Sequence, residues 1–193
     1  MATFFGLIIG ISLSATCGFR IFVPLFGMSM AYRAGYLNQI ASGFEWIGSD
    51  LAYYGLMIAL IVEVLGYYIP WVDMVLDTAA TPLAIGAGIM VTASMLGEVD
   101  PFLQWSMATV AGGGSAAATQ AGSVAVRGAS TAVTGGAGNP IVSTVELIMS
   151  VISTILAIVL PILALGLLIF VVYYVWKRVR QWREQREMQP VGS

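Results

Sequence analysis

Six ionisable side chains sit within or beside apolar sequence and could do chemistry there: Arg20, Glu63, Asp73, Asp77, Arg127 and Glu146. A charge at the centre of a bilayer costs at least about 2.5–3.5 kcal/mol on insertion scales, so such groups pair with one another or line a cavity. Two readings follow. In the first, Arg20 and Arg127 pair internally with the carboxylates and only fix the packing. In the second, the two arginines stand at the tips of broken helices, near freed backbone amides, and bind an anion. A guanidinium suits that role because it stays charged and offers five donors to a phosphate or carboxylate. Asn139, in a polar Gly-rich stretch, would then be a third substrate contact. Glu63 and Glu146 would couple movement to protons, since burial penalises a charged carboxylate. Asp73 and Asp77, just beyond an aromatic cluster, are further coupling carboxylates.

Other chemistries are disfavoured by what the chain lacks. It has no His and a single Cys, Cys17. One such chain cannot build a disulfide, a zinc or iron–sulfur centre, or a His-ligated haem, so no metal and no cofactor is expected. The commonest general base is missing as well. No nucleophile and base stand at suggestive spacing and there is no nucleotide loop, so the expectation is a protein that is not an enzyme and has no nucleic-acid partner.

The elements that must position these residues follow from composition. Of 193 residues, 59% are hydrophobic and 9% charged, and the mean hydropathy is +0.89. A soluble domain carries about a quarter of its residues as charges. The composition therefore predicts an all-α, polytopic transmembrane bundle. With roughly 20 residues per crossing, five or six spans fit. The first apolar run has no Lys or Arg before it, so it is expected to be retained as structure rather than cleaved.

Residues 4–32 would run about 43 Å as one helix, too long for one crossing, while each half is too short to span. A broken or re-entrant helix pair fits. Residues 33–50 read as a polar interfacial connection, and residues 51–72 as a span holding Glu63 and ending in Tyr67-Tyr68-Ile69-Pro70-Trp71, an interfacial aromatic cluster. A further span covers residues 77–97, and Glu98-Val99-Asp100-Pro101 is a turn that starts the next helix. Within residues 102–126, Gly114, Ala118 and Gly122 recur at spacing four and so share a face. That face reads as a close helix-packing seam, and the Gly run beside it as a break lining a cavity. Residues 128–140 read as a flexible loop. In the last block, residues 141–176, Pro161 divides either one kinked helix or two shorter spans, and Ser143, Glu146, Ser150 and Ser153 form one polar stripe that should face protein or water. Five basic residues, Lys177, Arg178, Arg180, Arg183 and Arg186, follow Trp176. By the positive-inside rule, residues 177–193 are a cytoplasmic tail behind a single transmembrane domain, residues 1–176.

An internal repeat would place a site between two halves, residues 1–98 and 99–176. A shift of 101 positions lays Ser14-Ala15 on Ser115-Ala116, Gly27 on Gly128, Gly35 on Gly136 and Glu45 on Glu146.

Four separated motifs carry a family resemblance. They are Ser14-Ala15-Thr16-Cys17-Gly18-Phe19-Arg20, Tyr67-Tyr68-Ile69-Pro70-Trp71-Val72-Asp73, Asp77-Thr78 with Thr81-Pro82, and Thr134-Gly135-Gly136-Ala137-Gly138-Asn139-Pro140 with Glu146. In this order they resemble a bacterial integral-membrane family catalogued as domain of unknown function 4126. One departure is Met74, where the resemblance leads one to expect Asn. The resemblance implies a multi-pass inner-membrane protein and supplies no activity. From the chemistry, the leading expectation is a small transporter or lipid-translocating protein for an anionic phosphate or carboxylate headgroup, with membrane lipids as partners. The rival is an accessory or scaffold subunit, self-assembling or docked in a larger membrane complex through the Gly114, Ala118, Gly122 face. An ion channel is disfavoured because no filter sequence is present.

Overall fold

The computed structural model describes residues 2–38, 40–97 and 99–187, and every regular element among them is helical. Glu98 and the end of the basic tail, residues 188–193, lie outside the described residues, as do the side chains of Trp71, Met74, Trp176, Arg183 and Arg186. The helices are α1 (Ala2–Cys17), α2 (Phe22–Arg33), α3 (Asp50–Gly66), α4 (Pro70–Ser94), α5 (Pro101–Met107), α6 (Gly114–Thr134), α7 (Asn139–Val159) and α8 (Pro161–Glu187).

Helices α1 and α2 are a broken pair, interrupted at residues 18–21. Gly18 lies so close to α6 that a Cβ on it would meet the Ala116 carbonyl oxygen at 2.6 Å. Pro24 falls in the first turn of α2, where its missing N–H costs nothing in the helix. The pair turns back on itself. Gly6 and Gly10 abut Met95 and Thr92 at the end of α4, and Met28 of α2 accepts a hydrogen bond from Ser94 Oγ there at 3.6 Å. Both outer ends of the hairpin thus sit at one end of the bundle, and residues 18–21 form its tip deep inside.

The connection to α3 contains a 3-10 turn at Glu45–Gly48 and is tied to α4 by the Ala41 N–H, which donates to Ser94 O at 2.8 Å. Ser49 caps α3 by accepting from the Ala52 N–H, and Asp100 caps α5 by accepting from the Phe102 N–H with Pro101 next in line. Helix α4 starts at Pro70, about two turns earlier than the span predicted over residues 77–97, and carries Pro82 inside it.

The Gly-rich block does not break. Helix α5 passes through a π-helical stretch, Ala108–Gly113, directly into α6, so residues 101–134 form one helix about 51 Å long. The intrinsic weakness of glycine is offset by contact: a Cβ on Gly112 would meet Gly88 O at 2.6 Å, and one on Gly113 would meet Ile89 Cγ1 at 2.9 Å. Only a chain without side chains there lets the two backbones approach. The flexible loop predicted over residues 128–140 shrinks to residues 135–138, because α6 continues to Thr134 and ends at Gly135 and Gly136, whose φ values are +63° and +91°. At Pro161 the chain forms two helices: Leu160 leaves the helical region with φ −134° and ψ 63°, as the residue before a proline tends to. The basic residues Lys177, Arg178 and Arg180 lie on α8 itself rather than in a separate tail.

Large apolar side chains such as Leu51, Val110, Val133 and Ile141 cover the outside, while Ser12, Ser14, Thr16, Arg20, Ser29, Glu63, Asp73, Thr92, Gln120, Arg127, Ser143, Glu146 and Ser150 are buried. The segments Val75–Ser94 and Asn139–Val159 are each long and apolar enough to cross a membrane.

Candidate functional site

The buried charges converge at the hairpin tip. Four helices supply them at helical spacing: Asp73 and Asp77 from the first turns of α4, Ser123 and Arg127 from α6, Asn139, Ser143 and Glu146 from α7, and Glu63 from the last turn of α3. Residues three or four apart share one helix face, so each helix presents its polar groups inward as a set.

Arg127 is the hub. Its Nη1 donates to Asp73 Oδ1 at 2.6 Å and lies 3.6 Å from Asp77 Oδ1. Its Nε donates to Glu146 Oε2 at 3.1 Å, and Nη2 donates to Ser143 Oγ at 2.9 Å and also to Glu146. The Ser123 hydroxyl donates to the other oxygen of Glu146. Asn139 Nδ2 donates to Asp73 Oδ2 at 3.1 Å and to Thr131 Oγ1 at 3.2 Å, so it supports a carboxylate from behind. Every nitrogen of the Arg127 guanidinium therefore has a protein acceptor.

Arg20 is built differently. It is 2% exposed, its Nη2 donates to Ser143 O at 2.9 Å, and the same nitrogen lies 3.7 Å from Glu146 Oε2. Among the described residues, neither its Nε nor its Nη1 has a hydrogen-bond partner. Both guanidinium groups lie over the ring of Tyr67, Arg20 at 3.8 Å and Arg127 at 4.4 Å from its centroid. Glu63 holds the tip itself: its two oxygens accept from the N–H groups of Ile21 and Phe22 at 2.8 and 3.1 Å. Those amides head a helix and have no partner within it.

Most of the residues singled out in the sequence meet here: Arg20, Glu63, Asp73, Asp77, Arg127, Asn139 and Glu146. Arg127 does not stand at a helix tip, since α6 runs on for two turns beyond it. The stripe on α7 faces the interior through Ser143, Glu146, Ser150 and Thr154, with Ser153 only half-buried. The seam of Gly114, Ala118 and Gly122 is a single face, but an outward one: all three are exposed, and nothing lies within 4 Å of a Cβ on Gly114 or Gly122. The packed face of α6 is Ala116, Gln120, Ser123 and Arg127. Tyr67, predicted as part of an interfacial belt, is 7% exposed and lies against the arginines, whereas Tyr68 and Ile69 are exposed. Tyr67 and the Ile21 and Phe22 amides carried no sequence signal for this role. Ser123 did, four residues before Arg127.

The described residues thus form an all-helical arrangement with apolar cover and a buried ion network. A family model described as Domain of unknown function (DUF4126) matches residues 7–181, and the chain belongs to that family. Neither the curated proteins nor the solved structures contain a match to it.

Proposed function

We propose that the chain is a small multi-pass membrane carrier for an anionic substrate, one whose headgroup is a phosphate or a carboxylate. Helices α3, α4, the continuous α5–α6, α7 and α8 would cross the inner membrane, with the α1–α2 hairpin re-entrant between them and the basic end of α8 in the cytoplasm. Apolar cover with a polar interior supports the membrane setting, because a water-soluble domain arranges the two the other way.

The observation that carries the reading is Arg20: a buried guanidinium with two nitrogens that no described residue accepts from. Buried donors are almost always paired, and leaving one unpaired costs about 1–3 kcal/mol, more when charged. An anion is the partner such a group fits. Arg127 then serves as the fixed post against which Asp73 and Glu146 are set. Two arginines face four carboxylates, Glu63, Asp73, Asp77 and Glu146, which leaves an excess of two negative charges for protons to balance. An anion entering with protons avoids moving net charge through a low-dielectric core.

Gentle extraction followed by native mass spectrometry tests this. A retained anionic lipid or small anion, lost in Arg20→Gln while the protein stays folded, is the expected result. Equal retention by both forms would sink it. The second reading, an accessory or scaffold subunit, is favoured by the exposed Gly114, Ala118, Gly122 face, since small residues let transmembrane helices approach closely. Stoichiometric protein partners or homo-oligomers in the same spectra would support that reading.

A further inference from the structure

Glu63 differs from the other three carboxylates. Its oxygens accept from the backbone amides of Ile21 and Phe22 at 2.8 and 3.1 Å, and among the described residues it forms no ion pair with a guanidinium. Two amides at the start of a helix converging on a carboxylate is the arrangement by which helix N-termini hold phosphate and carboxylate ligands. Beside it, Arg20 is the residue immediately before Ile21, and its buried Nε and Nη1 have no hydrogen-bond partner among the described residues. The hairpin tip therefore gathers four donors, of which Glu63 engages two.

The geometry points to Glu63 as an internal stand-in for the substrate's anionic headgroup, seated on the Ile21 and Phe22 amides beside Arg20 and giving up that seat when it is protonated. This rests on the carrier reading above. One proton from water binds the Glu63 carboxylate, and the neutral acid loses the charge-assisted part of its hold on the amides. One negative charge on the incoming headgroup takes its place, accepting from the two amides and from Nε and Nη1 of Arg20. The net charge at the tip is the same before and after the exchange, so the bound state buries no added charge. The titratable and charged groups facing Glu63 are Arg20 from the tip, Cys17 from α1 and Tyr67 from the turn after α3. Arg20 remains charged throughout, so the exchange is governed by Glu63.

Tetradecyl sulfonate doped into nanodiscs of uncharged lipid keeps one negative charge at all working pH values, so any pH dependence of its binding belongs to the protein. The wild-type chain is expected to bind it about tenfold more tightly at mildly acidic than at mildly alkaline pH. Infrared difference spectra should show a protonated-carboxyl band appearing as it binds. Glu63→Gln should bind equally at both pH values and lack the band. Methanesulfonate offers the headgroup alone: competition by it marks a free anion as cargo, and its failure to compete marks a lipid headgroup. Wild-type binding that is independent of pH and brings no carboxyl band would overturn the role of Glu63 and leave the carrier standing. No sulfonate binding at either pH would overturn both. The infrared measurement on wild type decides the matter even if Glu63→Gln does not fold.

Discussion

Arg20 and Arg127 carry the same group on opposite terms, and that asymmetry is measurable. Removing the side chain of Arg127 strands the buried Asp73 without its cation and leaves the buried Glu146 only the longer, 3.7 Å contact with Arg20. Breaking a buried pair in this way costs about 3–5 kcal/mol. Arg127→Ala should therefore lower the thermal midpoint sharply in detergent, and Arg127→Lys should recover little, since an ammonium cannot reach Asp73, Ser143 and Glu146 at once. Arg20→Gln removes one hydrogen bond, to Ser143 O, with the longer contact to Glu146 and the one over the Tyr67 ring, but strands no carboxylate, and should shift the midpoint less. Equal losses at the two positions would contradict the division of labour between them. The identity of these residues was legible in the sequence because charge is scarce in an apolar chain. Their partners were less so: Tyr67 looks like any aromatic at a helix end until its neighbours are known, and backbone amides leave no trace in composition.

At the scale of elements, sequence patterns located helices well and their interruptions poorly. The break at residues 18–21 was visible because Gly18, Arg20 and Pro24 punctuate a run too long to be one span. Residues 108–122 look equally breakable, yet stay helical because α4 packs on Gly112 and Gly113, and tertiary contact outweighs propensity. The 101-residue register shows the same limit. It lays the helix end Arg33 on Thr134 and Gly35 on Gly136, both glycines with positive φ, but it lays the break on residues 119–122 within uninterrupted α6. Glycine substitutions separate the two kinds of position. Gly18→Ala puts a methyl 2.6 Å from Ala116 O and 2.7 Å from Gln120 N, a clash with backbone that should cost about 1–3 kcal/mol. Gly122→Ala meets nothing within 4 Å and should stabilise an isolated chain by up to about 1 kcal/mol through helix propensity. If the outward face of α6 is instead a docking seam, Gly122→Ala will weaken association, which sedimentation in detergent would register.

The whole molecule makes a topological statement that single-cysteine labelling can check. Cys17 is fully buried and should stay unlabelled in intact membranes. A Cys introduced at Asn38 or at Asp100, both at the end of the bundle where α1 begins, should label from one side, and a Cys at Ala137, between α6 and α7, from the other. Labelling of positions 38 and 137 from the same side would refute the three crossings by α3, α4 and the continuous α5–α6 that separate them. That hairpin also sets an order of assembly. It leaves the ribosome ahead of the helices it packs against, and Arg20 meets Ser143 O across 123 residues of chain. At about 5–20 residues per second, the wait is roughly 6–25 s. Through that interval Glu63 and Tyr67 emerge and can meet the tip, but the Ser143 carbonyl and Glu146 are still missing, so Arg20 cannot settle until α7 is translated. Arg20 is accordingly translated early and completed late.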